Sequence, residues 1–133
     1  MPRPKAEEPL TRLELEIMKA LWEIGPASVQ DVQQRVAAER PLAYTTIQTM
    51  LNILVRKRRA KRTLVDRAYR YRAAISREKA AGSMVRDLVG RMFGGSAEAL
   101  VLSLVETSQL TPETLRRLNE MVSGGKEEED GDA

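Results

Sequence analysis

Residues 41–73 run PLAYTTIQTMLNILVRKRRAKRTLVDRAYRYRA, a helix-spaced apolar pattern that gives way to alternation and a dense run of cations. Apolar side chains recur at Tyr44, Ile47, Leu51, Leu54 and Val55, the spacing of a helix face turned to a core, so a helix is expected over Leu42–Lys57. Its opposite face carries Thr45, Gln48, Thr49 and Asn52, all uncharged hydrogen-bonding groups, and then Arg56. After this helix the period shortens. From Ala60 to Ala73 the residues favour strand, with a break around Val65-Asp66-Arg67, and Tyr69 and Tyr71 alternate with Arg70 and Arg72. A hairpin is predicted, although the break has neither the Asn-Gly nor the Asp-Gly that favours a two-residue turn. Nine basic residues fall between Arg56 and Arg72, with Asp66 the only acid among them.

Upstream, Thr11 stands three residues before Glu14, the spacing of a capping box, and Leu13, Ile17, Met18 and Leu21 supply an apolar face. This first helix should stop at Gly25-Pro26. Ser28 and Asp31 repeat the capping signal for a short second helix with Val29, Val32 and Val36 inward, closed before Pro41. Trp22 is expected as a lid on the core. Downstream, Ser76 caps a helix bearing Met84, Leu88 and Met92, stopped by Gly94-Gly95. Ser96 caps another through Val105, and Thr111-Pro112 opens a third with Leu115, Leu118, Met121 and Val122. Residues 1–9 read as a flexible arm and 124–133 as a disordered acidic tail.

The 133 residues contain no Cys and no His, which removes disulfides, thiolate metal sites, thiol nucleophiles and the commonest catalytic base. No cofactor, metal or catalytic residue is expected. Glu14 and Glu16 do not face each other on a helix, and Gly94-Gly95-Ser96 lacks the Lys of a phosphate loop. The longest apolar run, Ala99 to Leu102, is far short of a membrane span, so a cytoplasmic chain is expected. Charge is uneven: residues 1–72 hold 15 Lys/Arg against 8 Asp/Glu, and residues 73–133 hold 7 against 11. A basic portion that meets a polyanion is therefore joined to a portion with another task.

Three short helices followed by a basic hairpin are the order of a winged helix-turn-helix. The fold class expected is mainly α, with this domain over residues 10–75 and a small all-α region over 76–123. The third helix would lie in the major groove, where Gln can pair with adenine and Thr can meet the thymine methyl, while cations of the wing follow phosphates. Candidate DNA contacts are Ser28, Thr45, Thr46, Gln48, Thr49, Asn52, Arg56, Arg62, Arg67 and Arg70. Tyr69 and Tyr71 either stack on bases or, as is commoner on such a strand, pack inward. In the C-terminal region, Met84, Leu88, Met92, Leu100, Val101, Leu104, Leu115 and Leu118 are too many apolar groups for 47 residues to bury alone, so a homodimer is expected. The competing reading is a helical adaptor whose basic patch binds an acidic protein, or nucleic acid without sequence preference.

The blocks LTRLELEIMKALWEIGPASVQDV, AYTTIQTMLNILVRK and RAYRYRAAIS, with LVLSLVE at Leu100–Glu106, closely resemble the penicillinase repressor family, which includes copper-responsive repressors. The likeness runs from about Leu10 to Val122. It implies a homodimeric transcriptional repressor whose winged helix binds an operator dyad, with DNA contacts on Thr45, Thr46, Gln48 and Thr49 and the wing on Arg62 to Arg70. Family repressors are inactivated by cleavage of an Asn-Phe bond in the fifth helix, and the matching pair here is Ser103-Leu104. A membrane sensor peptidase would then be a further partner. The cysteine cluster of copper-responsive members has no counterpart, Arg58 replaces the usual glycine after the third helix, and the usual wing glycine is missing.

Overall fold

The computed structural model describes the backbone of residues 9–131 and the side chains of residues 9–124. The elements follow in the order α1 (Arg12–Ile24), α2 (Val29–Ala37), α3 (Tyr44–Arg56), β1 (Ala60–Val65), β2 (Ala68–Ala73), α4 (Arg77–Met92), α5 (Ala97–Glu106) and α6 (Pro112–Gly131). They fall into two compact units, residues 1–87 and 88–133, divided within α4 rather than before Ser76. The first turns of α4 belong with the first unit, and Ala80 there is buried.

Local chemistry starts α1 and α2. Thr11 Oγ1 accepts from the Glu14 amide at 3.2 Å while Glu14 Oε1 accepts from the Thr11 amide at 2.8 Å. Ser28 and Asp31 make the same reciprocal pair at 3.1 Å each way. Two orphan amides of each helix are thereby satisfied. Gly25 ends α1 at φ 71, a conformation that costs glycine no steric strain.

The core of the first unit is aliphatic. Ile17, Met18 and Leu21 of α1, Val32 and Val36 of α2, and Ile47, Leu51 and Leu54 of α3 are all buried, and Tyr71 of β2 joins them. Trp22 packs on this cluster and donates from Nε1 to the Ile75 carbonyl at 2.9 Å, the lid its sequence position suggested. The expectation for Tyr44 fails: it is 47% exposed, because α3 begins at this residue and not at Leu42, leaving Tyr44 in the first turn at the edge of the core.

β1 and β2 pair antiparallel with Val65 opposite Ala68, so Asp66 and Arg67 alone form the turn. Both have positive φ, 49° and 69°, as a turn that matches strand twist requires. Ala27 adds a bridge to Tyr71, with backbone bonds of 2.8 and 2.9 Å in the two directions, which ties the α1–α2 connection to the hairpin. This is a winged helix-turn-helix, mainly helical with one two-stranded hairpin.

In the second unit, α5 begins at Ser96, whose Oγ accepts from the Ala99 amide at 3.0 Å. None of the residues of α5 is buried. The chain from 124 onward, expected to be disordered, continues α6 as far as Gly131. Residues 1–8 of the expected arm, and 132–133 of the tail, lie outside the described residues. No single helix among the described residues is long and apolar enough to cross a membrane.

Candidate nucleic-acid interface

The apolar spacing of α3 that buries Ile47, Leu51 and Leu54 turns Thr45, Gln48 and Thr49 outward, and all three are exposed. Thr46 is half-buried, and so is Asn52. Arg56 is exposed at the last turn, where a cation also complements the helix dipole. Ser28 is half-buried, with its hydroxyl engaged in capping α2.

After Arg56 the chain turns sharply through Arg58, a non-glycine residue at φ 62, and Arg59 is buried at 3% exposure. Strand alternation then sorts the wing into two faces. Arg62 and Leu64 lie with Tyr71 and Tyr69 on one face; Lys61 and Thr63 lie with Arg72 and Arg70 on the other. On that second face Lys61 sits directly opposite Arg72, a like-charge pair that disfavours the sheet unless an anion meets it. Arg67 is at the turn itself, and Arg70 is close enough to Asp31 to help hold its carboxyl below the usual range, behind the larger effect of the Ser28 amide and hydroxyl. Along the wing a groove of about 430 Å³ is lined by Arg58, Lys61, Arg62, Thr63 and Arg72, among others. A larger hollow of about 670 Å³, lined by Glu16, Trp22, Glu23, Arg35, Glu39 and Glu78 among others, contains none of these residues.

Like Ser28, the candidates Asn52 and Arg62 are engaged within the protein. Asn52 Oδ1 accepts from Arg62 Nη1 and from the Tyr71 hydroxyl, both at 2.9 Å. The Arg62 guanidinium also lies over the Tyr69 ring, 4.1 Å from its centroid. The sequence pattern suggests phosphate for Arg62 and either base stacking or inward packing for Tyr69; in the structure Tyr69 is 41% exposed and carries the Arg62 guanidinium. Tyr71 is inward, at 1% exposure. The signal was available in principle, because a turn fixed at Asp66-Arg67 puts Arg62 opposite Tyr71. The candidate dimer residues are open: Met84, Leu88, Met92, Val101, Leu115 and Leu118 are exposed, and Leu100 and Leu104 half-buried. Ser103 and Leu104, the pair matching the family cleavage bond, are half-buried in the body of α5.

An exposed uncharged helix face beside a cationic hairpin places the molecule among winged-helix DNA-binding regulators. The penicillinase repressor family model matches residues 10–124. Transcriptional regulator BlaI of Mycobacterium tuberculosis is 37% identical over 102 residues, covering 73% of this chain and 74% of that protein. The penicillinase repressor of Bacillus licheniformis is 25% identical over 113 residues, covering 85% and 88%. Among solved structures, the Bacillus licheniformis BlaI monomeric form in complex with the blaP half-operator matches at 25% identity and TM-score 0.47, covering 53% of this chain and 87% of that one. The chain belongs to the penicillinase repressor family.

Proposed function

We propose that this protein is a homodimeric transcriptional repressor that reads operator DNA with α3 and holds the phosphate backbone with its wing. The observation that carries the reading is the exposed row Thr45, Gln48 and Thr49 on a helix that leads directly into nine cations between Arg56 and Arg72. Thr and Gln offer donors, acceptors and a methyl group to base edges, whereas the cations offer only charge, so specificity and affinity are divided between the two elements.

The second unit supports the dimer. Among the described residues from Leu88 onward none is buried, and Leu88, Met92, Val101, Leu102, Leu115, Leu118, Met121 and Val122 are all exposed. Apolar surface on this scale is covered by a partner in a stable protein, and a second copy has the same stripe to offer. A twofold pair would set two copies of α3 on a pseudo-palindromic site, with half-sites one helical turn or a multiple apart. Release then follows from any event that separates the protomers, including scission of α5 at Ser103-Leu104 by a membrane sensor peptidase. Selection of duplexes from a random pool, followed by a gel shift of the winner against random duplex, tests the reading. A dyad should emerge and be preferred; equal binding to both duplexes would favour an adaptor with an unselective basic patch.

A further inference from the structure

Asn52 closes a ring of contacts between α3 and both strands of the wing. Its Oδ1 receives the Tyr71 hydroxyl and Arg62 Nη1, each at 2.9 Å. The backbone of Tyr71 is itself fixed by its two bonds to Ala27, so its hydroxyl is delivered from a rigid site. Arg62 is held a second time by the Tyr69 ring at 4.1 Å, and the Tyr69 and Tyr71 rings lie 6.4 Å apart at 56°. Helix and hairpin therefore converge on one oxygen atom. Asn52 also lies one turn beyond Gln48 and Thr49, at the position that would continue the reading face.

We propose that Asn52 is a positioning residue for operator binding and not a base reader: its carbonyl oxygen sets the angle between α3 and the wing. The proposal rests on the DNA-binding reading above. A two-stranded hairpin is marginal by itself in water, and a wing free to swing would lose entropy each time it docked on the backbone. With the brace in place, the groove contacts of α3 and the phosphate contacts of the wing belong to one preorganised body. Arg62 is the other half of the brace, and it keeps its charge at a fixed place on the wing.

The amide and its acid analogue separate the two roles. Asn52→Asp keeps the acceptor and strengthens its bond to the guanidinium, but it has no donor and adds a negative charge. A residue that donates to a base or a phosphate would be damaged more by Asp than by Ala. A residue that acts as an acceptor for Arg62 and Tyr71 would be damaged more by Ala.

The test uses the full chain and a duplex selected from a random pool, with affinity read by fluorescence anisotropy and folding by urea denaturation. Asn52→Ala should bind about tenfold more weakly, the loss expected from about one hydrogen bond's worth of organisation. Tyr71→Phe, which removes only the hydroxyl, should lose a comparable factor, and the double variant should be little worse than either alone. Asn52→Asp should bind within about threefold of the unaltered chain. Asp weaker than Ala, Ala equal to the unaltered chain, or losses that multiply in full in the double variant would each overturn the proposal. If Asn52→Ala fails to fold, the Tyr71→Phe and Asn52→Asp comparison decides: both weak overturns it, and Asp alone retained upholds it. An unaltered chain that binds no duplex would remove the DNA-binding reading, and this proposal with it.

Discussion

Glu14 is 1% exposed, and its carboxylate is held by the Thr11 amide and by Lys57 Nζ, 3.3 Å from Oε1 and 3.0 Å from Oε2. The pair fastens the start of α1 to the end of α3. Burial alone would push the carboxyl up, but the Thr11 amide and hydroxyl and the Lys57 ammonium outweigh it and hold the group below its ordinary 4.5. A folded value below the unfolded one means stability that is present above about pH 4.5 and lost as pH falls through the folded value. Lys57→Met leaves the buried carboxylate without its cation, so it should cost about 3 kcal/mol at pH 7, and because the folded value then rises toward the unfolded one, the stability lost on acidification should shrink. Urea denaturation between pH 7 and 3 measures both; an unchanged acid limb would contradict the assignment. On the reading face, Gln48→Ala should cost about 1–3 kcal/mol on a selected duplex and less on random duplex, whereas its neighbour Ile47→Ala should cost about 2–5 kcal/mol of folding stability first. Equal losses for Gln48→Ala on both duplexes would make this face a backbone contact only. The Thr11–Glu14 and Ser28–Asp31 boxes were legible in the sequence because both partners lie within one turn. The role of Asn52 was not, because its partners Arg62 and Tyr71 depend on a strand register that spacing along the chain does not supply.

At the level of elements, α1, α2 and α3 could be read from apolar spacing because one continuous core faces all three. The wing was harder. Its turn uses Asp66 and Arg67 at positive φ, where glycine or asparagine is the usual signal, and α3 is closed by Arg58 at φ 62. Left-handed backbone costs a residue with a Cβ about 1 kcal/mol, which glycine avoids. Arg58→Gly should therefore stabilise the fold by about 0.5–1 kcal/mol, a rise of a few degrees in Tm for a domain of this size. The same change removes a cation from the groove beside β1 and should weaken binding to every duplex alike. A fall in Tm on thermal unfolding would mean that the Arg58 side chain holds the helix end by contacts stronger than the strain.

For the whole molecule, the surplus of apolar residues after Ser76 is legible from composition, and most of these side chains are open in the single chain. Sedimentation at micromolar concentration should find a dimer, and truncation after Asp87, where the first unit ends, should give a monomer with much weaker operator binding. A monomeric full chain whose affinity survives the truncation would remove the twofold arrangement. Cutting α5 between Leu100 and Val105 should release DNA for the same reason. The decisive measurement is the salt dependence of duplex affinity. If two protomers together neutralise about 6–10 phosphates, log affinity should fall against log salt with a slope of about −5 to −9. A slope near zero would contradict a repressor that holds DNA through Arg56 to Arg72.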